Sequence, residues 1–125
     1  MAGHLEYTIY LNTDDVRVAH HLARVLTQKG GGAIAARGQE AGRQAAVVVQ
    51  LLDWQALSLL RVLETARVAA RPFNVQITGG TLGPAPLEAI MAVVQQTLLL
   101  DRPQVIVEIG QDKSTYYPVE LNNGK

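Results

Sequence analysis

A chain of 125 residues with 48% hydrophobic and 18% charged residues has room for one domain, whose folding buries about two-thirds of the surface the unfolded chain exposes. Eleven basic side chains balance eleven acidic ones, so no net field draws the protein toward nucleic acid or an anionic membrane surface. The absence of cysteine excludes disulfides, thiolate catalysis and Cys-ligated zinc together.

The first residues, Met1 to Tyr7, have neither the basic segment nor the apolar run of a secretory signal. No apolar stretch approaches the ~20 residues of a membrane span, and a cytoplasmic protein is expected. Leu5, Tyr7, Ile9 and Leu11 alternate with Glu6, Thr8 and Tyr10, the period of a strand with one buried face. Asn12, Thr13 and Asp14 offer caps for a helix in which Val18, Leu22, Val25 and Leu26 share a face. Lys29 and the run Gly30 to Gly32 end it.

The middle of the chain admits two readings. In the favoured one, Ala33 to Ala36 form a short strand, Gly38 to Gly42 a turn, and Ala45 to Leu52 a buried strand centred on the β-branched run Val47 to Val49. Asp53 then caps a helix carrying Ala56, Leu59, Leu60, Leu63 and Ala66. In the other, one helix runs from about Arg43 to Ala70, because no Gly or Pro interrupts that segment.

Arg71-Pro72 closes the second helix, and Phe73, Val75 and Ile77 alternate with Asn74, Gln76 and Thr78 as a strand. The segment Gly79 to Gly83 reads as a strand-to-helix joint, and Pro86 suits the first turn of a third helix bearing Leu87, Ile90, Met91, Val94 and Leu98. After Asp101-Arg102-Pro103, the runs from Val105 to Ile109 and from Thr115 to Leu121 flank Gln111 to Ser114 as a hairpin. This order predicts an α+β fold: a ferredoxin-like β-α-β-β-α-β arrangement with an appended helix and β-hairpin, a mainly antiparallel sheet and helices on one face. Residues 1–121 form the expected single domain and 122–125 a flexible tail.

Chemistry-bearing residues are sparse. His20 and His21 point about 100° apart on a helix and cannot readily share an ion, so neither a metal nor any other cofactor is expected. Arg17, His21 and Arg24 lie along one helix row that suits a small anion. Gly79, Gly80, Thr81 and Gly83 place backbone amides near a helix start, although they match neither the P-loop nor the dinucleotide fingerprint. Tyr10, Gln76, Glu108 and Tyr116 are the candidate interface residues of the sheet. The acidic groups Glu6, Glu108 and Glu120 accompany the tyrosines there, which disfavours phosphate and hence RNA.

The function expected from these features is a non-catalytic protein-interaction or assembly module that self-associates through a sheet or helix face. Its partner would be itself or another protein, with no nucleic acid and no membrane. The alternative is a small-ligand (anion) sensor or small enzyme built on the Gly79–Gly83 joint with Arg17, His21 and Arg24 as anion partners.

Overall fold

The computed structural model describes residues 5–101, 104–108 and 114–118. Strand β1 (Leu5–Leu11) leads into helix α1 (Val16–Gly30), followed by the hairpin of β2 (Ile34–Ala41) and β3 (Gln44–Leu51). Helix α2 (Leu59–Ala70), β4 (Ile77–Leu82), α3 (Leu87–Leu98) and the strands β5 (Gln104–Glu108) and β6 (Ser114–Pro118) complete the order. The fold is α+β: the first four strands form an antiparallel sheet in the order β2-β3-β1-β4. Two compact units divide the chain, Met1–Ala85 and Pro86–Lys125.

The core of the first unit follows from the period-two pattern of β1. Leu5, Ile9 and Leu11 are buried with Val47, Val49 and Leu51 of β3, which the register sets on the same face. Val18, Ala19, Leu22, Ala23 and Leu26 of α1 are buried as well, and α1 packs on β2 and β3 and against α2. Each fully buried Leu or Val here contributes about 1.5–3 kcal/mol of transfer free energy. No buried polar or charged residue interrupts this core among the described residues.

Several boundaries differ from the sequence reading, each for a local reason. The cap of α1 is Asp15, whose carboxylate accepts from the Arg17 amide at 3.0 Å, while the Thr13 hydroxyl accepts from the Asp15 amide. Strand β2 runs straight through Gly38, and the turn shrinks to Gly42 and Arg43 between the paired Ala41 and Gln44, with Gly42 at φ 65°. From Arg43 onward the chain is strand then helix, and the cap of α2 is Ser58. Asp53 holds a preceding turn instead, accepting from the amides of Gln55 and Ala56.

Beyond α2, Arg71–Phe73 wind into a 3-10 turn that ends at Asn74 with φ 56°. Phe73 thereby leaves the sheet, and its ring stands edge-on to His21 with centroids 4.9 Å apart. The strand expected from Phe73 starts only at Ile77, and the expected Gly79–Gly83 joint is itself strand through Leu82.

In the second unit, α3 is entered through Pro86 and left through Leu99 at φ 57°, where the Leu100 amide donates to the Gln95 carbonyl. The expected hairpin is present as β5 paired antiparallel with β6, Ile106 opposite Tyr116 and Glu108 opposite Ser114. The connection 109–113 and the tail 122–125 lie outside the described residues.

Candidate functional site on the sheet face

Strand alternation gives the four-stranded sheet two chemically different faces. The face carrying Tyr7, Ile9, Val47 and Gly38 is the one α1 crosses, since a Cβ on Gly38 would meet the backbone of Ala19 and His20. The opposite face is assembled by register. One row across all four strands reads Arg37, Val48, Thr8, Thr81. The next reads Gln39, Ala46, Tyr10, Gly79, and on the other side lie Ala35, Gln50 and Glu6. Neighbouring strands stand ~4.8 Å apart, so each four-residue row extends across about 15 Å.

Burial sorts this surface into a floor and a rim. Ala46 and Val48 are buried at its centre, whereas Glu6, Arg37, Gly79 and Thr81 are exposed and Thr8, Tyr10, Gln39 and Gln50 half-buried. One end is tied down by hydrogen bonds. The Gln44 side-chain amide donates to Thr78 Oγ1 at 3.2 Å and to the Leu11 carbonyl at 3.3 Å, and the Thr78 hydroxyl donates to the Tyr10 carbonyl at 3.4 Å. The Gln76 amide donates to Asn12 Oδ1 at 2.8 Å, and the Asn12 amide returns a bond to the Gln76 carbonyl. These contacts brace β1 against β4 where their register shifts between Tyr10 and Leu11.

β4 is the outermost strand of its sheet. The Gly83 amide donates to the Glu6 carbonyl at 2.9 Å. By the alternation of an antiparallel ladder, Thr81 and Gly79 then face β1, while Gly80 and Leu82 turn their peptide groups to the outer edge. Gly80 is required there: a Cβ would come 2.7 Å from the Thr8 carbonyl oxygen and 3.2 Å from Tyr7 Cε1. Tyr7 itself is half-buried, and desolvation raises its phenol above the usual tyrosine range, with the Arg67 cation acting weakly in the opposite direction.

The residues singled out in the sequence divide among these places. Gly79, Thr81 and Tyr10 come together on the sheet face, whereas Gly80 packs on the helix side and Gly83 pairs through its backbone with Glu6. Arg17 is held by Asp15 in a two-pronged pair at 3.0 Å on both arms, which lowers the Asp15 carboxyl and raises the guanidinium. His21 lies against Phe73, and Arg24 is exposed on α1. The Arg17 row stands on α1 in the helix layer, and Gly79 to Leu82 form part of strand β4 in the sheet. Tyr10 and Gln76 belong to the first unit and Glu108 and Tyr116 to the second.

Sequence reasoning missed Arg37, Gln39 and Gln50. Their signal was the alternation of β2 and β3, obscured because Gly38 reads as a turn and because β3 is apolar on both faces.

Arg37 offers a forked cation suited to a carboxylate, Tyr10, Thr8, Thr81, Gln39 and Gln50 offer hydroxyl and amide donors, and Glu6 offers a partner for an amine. No group of three or more His, Asp or Glu residues able to hold a metal occurs among the described residues. No helix among them is long and apolar enough to cross a membrane.

No family model matches the chain. A glutamate formimidoyltransferase from Streptococcus pyogenes serotype M1 is 27% identical to it over 100 residues, covering 76% of this chain and 33% of that enzyme. The chain thus spans about a third of the length of the curated relative it matches. That similarity to an enzyme overturns the sequence-based expectation of a non-catalytic assembly module. The expectation rested on the absence of an acid-base pair, and a segment matching a third of an enzyme's length need not contain one.

Proposed function

We propose that this chain is a formimidoyltransferase-like domain that contributes a glutamate-recognising surface to formimidoyl transfer. The observation that carries the reading is the 100-residue similarity to glutamate formimidoyltransferase. The sheet face supports it chemically. Transfer requires a nitrogen of one molecule to attack the formimidoyl carbon, whose bond to the donor nitrogen then breaks as that nitrogen gains a proton. A glutamate moiety presents carboxylates and a nitrogen for orientation, and on this face Arg37 would take a carboxylate while Glu6, Thr8 and Tyr10 line the approach to the nitrogen.

The first unit, with β-α-β-β-α-β order and its β2-β3-β1-β4 sheet, is read as ferredoxin-like within the same proposal. The face holds recognition groups rather than a base-nucleophile pair, which accords with a chain spanning a third of the relative; the remaining catalytic groups would come from elsewhere.

Calorimetric titration with glutamate and with N-formimidoylglutamate tests the reading. Saturable binding of the formimidoyl compound that weakens about tenfold or more in Arg37→Leu, the scale of one hydrogen bond to a charged group, is the expected result. If neither compound binds at ~10 mM, ten times the concentration at which a 4 kcal/mol interaction half-saturates, the proposal is wrong. Release of glutamate from N-formimidoylglutamate in the presence of amine acceptors then measures any transfer the chain performs alone.

A further inference from the structure

On the helix side of the first unit, away from the sheet face, α1 and α2 enclose a groove made of two adjoining cavities. The first, about 390 Å³, is lined by His21, Val25 and Lys29 of α1, by residues of α2 including Arg61, Glu64 and Val68, and by Pro72. The second, about 410 Å³, is lined by Leu26, Lys29, Ile34, Leu57, Arg61 and Val62 among others. Lys29, Arg61 and Thr65 border both. Each volume lies within the ~300–1,000 Å³ common for small-ligand clefts.

The distribution of groups is more specific than the size. Lys29 and Arg61 reach the shared boundary from opposite helices, and neither has a carboxylate partner within 4.0 Å among the described residues, where the ion pair found is Arg17 with Asp15. Glu64 is the one carboxylate in the lining, leaving an excess of positive charge. Arg61 stands in the first turn of α2, where the helix dipole adds to its field, while Lys29 offsets the negative end of α1. To either side of this polar waist the walls are apolar, Val25 and Val68 in one cavity and Leu26, Ile34, Leu57 and Val62 in the other. His21, edge-on to Phe73, bounds the first cavity.

We infer that the α1–α2 groove is a binding site for a small organic carboxylate with an apolar body, its carboxylate held between Lys29 and Arg61 and its body laid along Val25 and Val68. The site is separate from the sheet face, so its failure leaves the formimidoyltransferase reading untouched.

The test is an NMR titration of the full chain with 4-phenylbutyrate, with the neutral alcohol 4-phenylbutanol and with acetate. The phenyl acid is expected to give saturable shifts confined to amides around Val25, Lys29, Arg61, Thr65 and Val68. Phenylbutanol and acetate should each bind at least tenfold more weakly, since the first lacks the charge-assisted bonds and the second the buried apolar area. Arg61→Gln and Lys29→Gln change exposed side chains that the core does not use, and each should weaken the acid by about tenfold without affecting the alcohol. Val68→Ser should weaken acid and alcohol alike. Equal affinity for acid and alcohol, indifference to both charge variants, shifts centred elsewhere, or no saturation at ~10 mM phenylbutyrate would each overturn the inference.

Discussion

Gly38 of β2 and Ala19 of α1 touch backbone to backbone. A Cβ built on Gly38 would lie 2.7 Å from the Ala19 carbonyl carbon and equally close to the His20 amide nitrogen. Neither neighbour is the flexible end of a side chain. Gly38→Ala must lift α1 from the sheet and is expected to cost about 1–3 kcal/mol, the usual range for overpacking. Gly32→Ala, at a position where a Cβ meets nothing within 4 Å, serves as the control. Urea denaturation of the two variants should separate them clearly, and equal midpoints would contradict the close approach.

The start of α2 depends on Ser58, whose hydroxyl accepts from the Arg61 amide at 3.3 Å. Ser58→Ala should lower stability by about 1 kcal/mol, whereas Ser58→Asp should retain most of it, because either side-chain oxygen satisfies the first-turn donor. Thermal melts of both variants check this order, and Ser58→Ala matching the parent would return the cap to another residue.

Tyr7 links folding to alkaline pH. Its folded pKa is raised from the ordinary value near 10, chiefly by burial, so folding favours the neutral phenol. The resulting stability is fully present below pH ~10 and is lost as pH rises through the folded pKa. Tyr7→Phe should therefore flatten the alkaline limb of the stability profile. Arg67 lowers the Tyr7 pKa, so Arg67→Gln should move the phenolate absorbance midpoint of Tyr7 further upward; a downward move would refute the assignment.

Asp15 acts at the other end of the pH scale. The Arg17 side chain, followed by its backbone amide, lowers the carboxyl, so the stabilisation is present above the ordinary carboxylate value near 3.9 and is lost as pH falls through the lower folded value. The guanidinium is exposed and the carboxylate half-buried, so the pair is modest in effect. Carboxyl-carbon NMR should place the Asp15 midpoint below its ordinary value and show it rising in Arg17→Gln. The rise should remain partial, because the amide of residue 17 persists.

How much was legible in advance differs from element to element. β1 and the buried face of α1 could be read because their apolar periods, two in Leu5 to Leu11 and helical in Val18 to Leu26, are local properties of the chain. The strand-then-helix reading of the segment after Arg43 rested on Asp53 as a cap and on helical apolar spacing that begins after it; the strand and helix are there, but the cap is Ser58. Gly38, Phe73 and Gly79 were misplaced for a common reason. Each has a local preference, turn for the glycines and strand for the aromatic, that tertiary contacts override: Gly38 admits the α1 backbone, Phe73 covers His21, and Gly79 pairs opposite Tyr10.

The amino-acid sequence by itself therefore determined the α+β class, the order of the main elements and the apolar core, because alternation and helical spacing are encoded over a few residues. Only the tertiary structure decided which polar residues share a surface. Arg37, Thr8 and Thr81 are far apart along the chain and become one row through the registers of three strand pairings. Likewise, Lys29 and Arg61 border one groove because two helices pack on the same layer. Register and helix packing depend on the simultaneous burial of distant segments, which no local pattern records.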